Sequence, residues 1–313
     1  MDFEHPILSK EYRLMTPTLM AVVQNACFKV MMRKTGIVFT GEPRIGKTRC
    51  CEALMDEIPK RFRHVYAFMM PASNKDKDVH RASIIHQLID LEEIKLPPRT
   101  PFIQRQAILV ERLKLRAASA NANQIVMLID ELQRLSSADF QQLADIYNKL
   151  RGYRITLTVI SFAMPSIEGK IIEFLQSDDR HIIGRFLSEV KPLYGVTNKM
   201  SLATILSLYD TDQPFPDISS DSFTKDVLPI AYANGFRLED LSDDIWREMS
   251  KLAVGKYVGN LPMEHVTQTV AYLFLILSHQ DNARLTVPAD LIHEAIAESN
   301  FKEFCRSITT GDK

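Results

Sequence analysis

The sequence predicts an α/β fold: a central parallel sheet covered on both faces by helices, followed by a smaller, all-helical domain. Three observations predict it. Short apolar runs rich in β-branched residues alternate with helix-period segments from residue 37 to about 190. The first run, Ile37-Val38-Phe39, ends on a glycine-containing turn that opens directly into a helix. Beyond about residue 196 the strand signal fades while helical periodicity continues.

Each element follows in order. Residues 16–34 carry the apolar spacing of a helix leading into the core, broken at Thr35-Gly36. Thr48 to Glu57 reads as a helix stopped by Pro59, because proline lacks an amide hydrogen and crowds the preceding turn. His64 to Met70 reads as a second strand, and residues 72–80 as a polar loop. Helices are expected over 81–91 and 102–118, separated by Pro97, Pro98 and Pro101. Gln124 to Ile129 is the most strand-like segment and runs into Asp130-Glu131. Phe140 to Leu150 reads as a helix, Ile155 to Phe162 as a strand, and 167–175 and 185–187 as helical. Further helices are expected over 199–209, 238–253, 263–280 and 288–303, with turns at 212–220, 255–262 and 281–288. The organisation read from this is a helical lead-in over 1–35, a nucleotide-binding core over 36–195 and a helical domain over 196–313.

Composition narrows the function classes. With 46% apolar residues the chain can bury a sizeable core. The longest greasy stretch, Leu273 to Leu277, is too short to cross a bilayer, and the acidic, polar start does not read as a secretory signal. Cys27, Cys50, Cys51 and Cys305 lack metal or redox spacing, and a cytoplasmic location is expected. Net charge is −1, so bulk charge makes no case for nucleic acid. Its distribution is uneven: six basic residues and one acidic lie between Lys95 and Ala118, against ten acidic and three basic between Asp210 and Ser250. Two regions with different partners would give that pattern, and so would solvated helix faces.

The chemistry is concentrated in a few motifs. Gly41-Glu42-Pro43-Arg44-Ile45-Gly46-Lys47-Thr48 has the spacing G-x-x-x-x-G-K-T. Glycines let such a loop turn its amide hydrogens inward at phosphates, and the following helix adds its positive end. The expected ligands are ATP and Mg²⁺, with Lys47 at the β- and γ-phosphates, Thr48 on the metal and Arg49 beside them. Ile125 to Ile129 leads into Asp130, a second metal-binding candidate, and Glu131, placed to act as general base. Ser161, near the end of the next strand, either touches the γ-phosphate or attacking water or caps the following turn. Arg185 either completes a neighbouring subunit's site as an arginine finger or forms a structural ion pair, and Arg180 is the other candidate finger.

With these motifs in this order, the chain resembles AAA+ ATPases. Within them it resembles the TniB/TnsC transposition regulators of Tn7-like and CRISPR-associated transposons. The residues carrying that likeness are Ile129-Asp130-Glu131-Leu132-Gln133-Arg134-Leu135, Tyr147-Asn148-Lys149-Leu150, the segment Ile155 to Pro165, and Gly184-Arg185-Phe186. Two positions depart from the pattern: Pro262 stands where many AAA+ lids carry a sensing arginine, and Phe162 where the strand often ends in glycine. The resemblance implies ATP-dependent rings or filaments on duplex DNA, linking a TniQ- or TnsD-like target selector to a DDE transposase, with hydrolysis driving disassembly. DNA would be held by its backbone without sequence readout. Lys75, Lys77 and Arg81 are the first candidates for that grip, followed by Arg105 and Lys114. A helicase loader or replication initiator shares the same motifs, as does a nucleotide-gated scaffold with little hydrolysis.

Overall fold

A computed structural model describes residues 4–73, 83–177, 179–211 and 222–311. Chain contacts divide it into two compact units: one holds the residues up to Met20, Pro43–Gly46 and those from Tyr194 onward, the other Ala21–Glu42 and Lys47–Leu193.

The second unit is built on five parallel strands: β1 (Gly36–Thr40), β2 (Val65–Pro71), β3 (Gln124–Asp130), β4 (Thr156–Ala163) and β5 (Val190–Pro192). Their order is β2-β3-β4-β1-β5, so β4 lies between the two strands that carry the chemical motifs. Pairing runs Gly36↔Val159 to Thr40↔Ala163 between β1 and β4, and Gln124↔Thr156 to Ile129↔Ser161 between β3 and β4. All seven residues of β3 are buried, which explains its uninterrupted apolar composition: a strand covered on both faces needs no alternation. Burying Ile125, Met127 and Ile129 in the core contributes about 1.5–3 kcal/mol each.

The helices of this unit are α1 (Pro17–Met31), which begins in the other unit, α2 (Lys47–Arg61), α3 (Ile84–Leu91), α4 (Phe102–Ser119), α5 (Ser137–Gly152) and α6 (Ile167–Gln176). Pro59 does not stop α2, which continues to Arg61. The proline is exposed and in the last turn, where it forfeits one ladder bond without opening the core. Asp139 ties two helix starts together. Its carboxylate accepts from the Ser136 amide at 2.8 Å, closing a capping box on α5, and from the Ile84 amide at 2.9 Å at the head of α3. The short edge strand β5 was not anticipated.

The other unit is helical: α7 (Lys199–Thr211), α8 (Ser242–Leu252), α9 (Met263–Leu277), α10 (Ala289–Glu298) and α11 (Phe301–Gly311), with short helices at Phe223–Val227 and Pro229–Ala233 that the sequence did not announce. The helix expected over 288–303 is two helices, broken where Asn300 takes a positive φ of 56°. That expected over 238–253 begins as a 3₁₀ turn, Leu238–Leu241, and the one over 263–280 ends at Leu277. The turn expected at 212–220 lies outside the described residues. Asp210, buried, accepts from the Thr224 hydroxyl at 2.6 Å and the Leu238 and Glu239 amides at 2.9 and 3.0 Å, which holds α7 against the Leu238 turn. Among the described residues no helix is long and apolar enough to cross a membrane.

Candidate nucleotide site

The glycine loop leaves β1 at Thr40 and is anchored at once, because the Gly41 amide donates to the Ala163 carbonyl of β4 at 3.0 Å. Gly46 turns the loop with φ +101°, a conformation that side chains rarely adopt, and nothing lies within 4 Å of where its Cβ would stand. Helix α2 opens on the next residue, so its first-turn amides, which lack intrahelical partners, follow the loop directly.

Lys47 is 7% exposed, and its Nζ donates to the Gly41 and Glu42 carbonyls at 2.9 Å each. Burial pushes its ammonium below the usual lysine range, while the charges of Glu131, Asp130 and Glu42 pull the other way. A buried cation whose hydrogen bonds go to two neutral carbonyls keeps its charge available to an anionic ligand such as a triphosphate. The Thr48 hydroxyl donates to Asp130 Oδ2 at 2.7 Å, and Asp130 Oδ1 accepts from the Glu131 amide at 3.0 Å. A hydroxyl and a carboxylate oxygen side by side form a hard-oxygen pair of the kind Mg²⁺ takes with phosphates. The residues present therefore fit Mg²⁺ and a nucleotide.

Glu131 follows with a left-handed backbone, φ 58° and ψ 43°. Such geometry is uncommon outside glycine, asparagine and aspartate, and it swings the carboxylate away from the line of β3. Its Oε2 accepts from Gln133 Nε2 at 2.8 Å and lies 3.4 Å from Arg134 Nε.

The remaining sequence candidates fall in different places. Ile45 is buried, and Arg49 is paired with Glu52 at 3.0 Å on the surface of α2. Ser161 is buried within β4, in register with Val38 and Ile129 and two residues short of the strand's end. Arg185 sits in a single π-helical turn, Ile183–Leu187, with its guanidinium 5.3 Å from the centre of the Tyr147 ring. Arg180 is exposed at the start of the short helix before it. Arg105 donates to the Thr100 carbonyl at 2.8 Å, and Lys114 pairs with Glu111 at 2.8 Å while lying over Tyr153. Arg112 and Arg116 of the same basic stretch both reach the buried Glu92. Lys75, Lys77 and Arg81 lie outside the described residues.

Two residues outside the sequence candidates make contact with one of them each. One is Gln133. The other is Glu264, in the first turn of α9. Its amide donates to the Arg44 carbonyl at 3.1 Å, and its carboxylate pairs with the Arg44 guanidinium at 2.5 Å. Arg44 also lies 5.7 Å from the centre of the Phe304 ring. The loop tip is thus held beside Pro262, the residue that stands where many AAA+ lids carry a sensing arginine.

Residues 30–171 match a family model described as an AAA domain. No curated protein matches the chain. Among solved structures, it resembles the ORC2 protein of Aeropyrum pernix in its ADP form, with a TM-score of 0.56 and 13% identity over 91% of this chain and 69% of that one. It also resembles the Aeropyrum pernix ORC1 protein in complex with DNA, at a TM-score of 0.50 and 12% identity over 90% of this chain and 64% of that one. For domain III of the replication initiation protein DnaA from Thermotoga maritima the TM-score is 0.51 and the identity 10%, over 95% of this chain and 98% of that one. At such identities the likeness speaks for the fold alone. Residues 30–171 are similar to an AAA domain, and the chain has the P-loop AAA+ fold, with a central parallel sheet and a helical C-terminal region.

Proposed function

We propose that the protein is a Mg²⁺-dependent ATPase whose nucleotide state governs its assembly on duplex DNA, in the role of a transposition regulator. The observation that carries the ATPase reading is the contact of Thr48 with Asp130 at 2.7 Å, beside the buried Lys47 and immediately before Glu131. In this reading the loop amides of Gly41 to Thr48 hold the phosphates and Lys47 neutralises their outer charge. Thr48 and Asp130 hold Mg²⁺, which when bound supplies further positive charge against the phosphates. Glu131 takes the proton of the attacking water, and Ser161 steadies that region from β4. Arg185 serves the site of a neighbouring copy.

The transposition role is supported by the segments from Ile129 to Leu135, Tyr147 to Leu150 and Ile155 to Pro165, together with Gly184-Arg185-Phe186. It implies duplex DNA, further copies of the chain, a DDE transposase and a TniQ- or TnsD-like selector as partners. A second reading, a replication initiator or helicase loader, is favoured by the likeness to the archaeal ORC proteins and to DnaA.

The test is assembly and capture. Purified protein with ATP, Mg²⁺ and non-specific duplex DNA should sediment as a large complex, and its affinity should fall steeply as salt rises. Failure to assemble under those conditions defeats the transposition reading. Retention of a DDE transposase together with a TniQ-like protein supports the first, and retention of a replicative helicase supports the second. Equal ATP turnover by wild type and Glu131→Gln would remove Glu131 as the base, and a wild type that binds ATP without turning it over would favour the nucleotide-gated scaffold.

A further inference from the structure

The carboxylate of Glu131 is not free to turn. Gln133, two residues on in the 3₁₀ turn Leu132–Arg134, donates from Nε2 to Glu131 Oε2 at 2.8 Å. At its other end Gln133 Oε1 accepts from the Met164 amide at 3.0 Å. These two partners leave the side-chain amide one orientation. A backbone N–H can only donate and a carboxylate can only accept, so the oxygen must face Met164 and the nitrogen Glu131.

Met164 directly follows β4, whose last residue, Ala163, accepts the hydrogen bond that anchors Gly41. Gln133 therefore ties the carboxylate to the same strand end that fixes the start of the phosphate loop. Arg134 approaches the same oxygen, Oε2, at 3.4 Å. Both contacts fall on one oxygen, and Oε1 has no partner among the described residues. Glu131 also departs from β3 with a left-handed backbone, so strand geometry does not aim its side chain.

We propose that Gln133 is a positioning residue for Glu131: it clamps Oε2 against the end of β4 and leaves Oε1 presented to the water that the carboxylate deprotonates. This rests on the reading of Glu131 as the base. A purely structural Gln133 would only satisfy the Met164 amide, and the two roles part under mutation.

The experiment is a double-mutant cycle on ATP turnover, run with Gln133→Ala, Glu131→Gln and the double variant. Gln133→Glu is included because it keeps an acceptor for Met164 but turns a carboxylate towards Glu131. Nucleotide affinity and Tm are measured on each protein. Misplacing a reacting group by an ångström costs about a hundredfold, so Gln133→Ala should lower kcat by about tenfold to a hundredfold, with KM moving little. Gln133→Glu should keep its Tm and lose turnover to a similar degree. In the Glu131→Gln background, Gln133→Ala should cost nothing further, because its effect passes through Glu131. If Glu131→Gln abolishes turnover while Gln133→Ala retains the wild-type kcat, the clamp is wrong and the base reading stands. An equal loss from Gln133→Ala in both backgrounds also overturns it. If Glu131→Gln turns over at the wild-type rate, the base reading falls and the clamp falls with it.

Discussion

Gly36 has no room for a β-carbon, because the Arg185 carbonyl passes 2.8 Å from where that atom would stand and Phe186 Cα 2.9 Å from it. Gly36 opens β1 and Thr40 closes it, so Arg185 is packed against the end of the strand opposite the glycine loop. Four residues of strand advance about 13 Å at ~3.3 Å each, further than an arginine side chain reaches. On the arginine-finger reading, Arg185 must serve another copy's nucleotide. Arg185→Ala should keep ATP affinity and lose turnover, and mixing it with a Lys47→Ala variant should restore part of the rate. Turnover that stays at zero across all mixing ratios would count against a role in trans.

Lys47 makes a prediction with two opposite signs. Burial disfavours its ammonium, so without nucleotide Lys47→Met should be at least as stable as the wild type. With Mg²⁺ and ATP the order should reverse. A ligand at a hundred times its Kd stabilises by about 2.7 kcal/mol, and only the wild type should show that gain. Differential scanning fluorimetry with and without nucleotide reads both signs. Thr48→Ala should keep some response to ATP and lose the increment that Mg²⁺ adds.

Arg44 holds a positive φ of 65° at the loop tip while paired with Glu264. Replacing it by alanine or by glycine removes the same ion pair, so the difference between the two variants reports the backbone alone. Arg44→Gly should be the more stable by about 1 kcal/mol in denaturant titration. Alanine equal to glycine would mean that the tip is not left-handed in solution. The ion pair itself is partly exposed, with side chains 49% and 35% accessible, so Glu264→Gln should cost only about 0.2–1 kcal/mol.

His265 links the helical unit to pH. It is 4% exposed, its Nδ1 bonds the Ser299 carbonyl at 2.7 Å, and its ring packs on Phe301 and Phe304. Burial lowers its pKa from the ordinary 6.5, with the Ser299 carbonyl and Glu264 opposing and Arg44 assisting. The unfolded chain therefore binds the proton more readily than the folded one. This contribution to stability is complete above pH 6.5 and is lost as pH falls from there through the depressed folded pKa. A His265→Phe variant should show a flatter dependence of Tm on pH across that window.

Gly195 gives a packing prediction. A Cβ there would stand 2.0 Å from the Leu261 carbonyl oxygen, which accepts the Val196 amide at 2.8 Å. The obstruction is backbone, so no rotamer relieves it. Gly195→Ala should destabilise by about 3 kcal/mol, the upper end for overpacking, and lower the Tm by several degrees. A neutral result would show that the Val196–Leu261 bridge can open without cost.

The parts of this molecule legible in its sequence are those where local chemistry and tertiary role coincide. β1, β3 and β4 are buried on both sides and are mostly apolar, so their composition declares them. The loop needs glycine, lysine and threonine at set spacing, and no neighbour is required to see it. Other features depend on distant partners. β5 is three residues, Val190-Lys191-Pro192, too short for any period to show. The break at Asn300 interrupts an apolar pattern that continues on both sides of it. Gln133 and Glu264 are ordinary polar residues until folding brings Met164 and Arg44 to them. A polar side chain two positions after the acidic pair was the available signal for Gln133, and nothing near Glu264 distinguished it.

Both outer strands of the sheet, β2 and β5, end in proline: Pro71 on one side and Pro192 on the other. Proline has no amide hydrogen to offer a further strand, and β5 is only three residues long. The sheet is therefore blunted at both margins, at the ends that lie towards the glycine loop. At those ends a second copy's strand would find no amide to pair with. Joints between copies made there would be built instead by side chains on helices and loops, which can separate without unravelling either protomer's core.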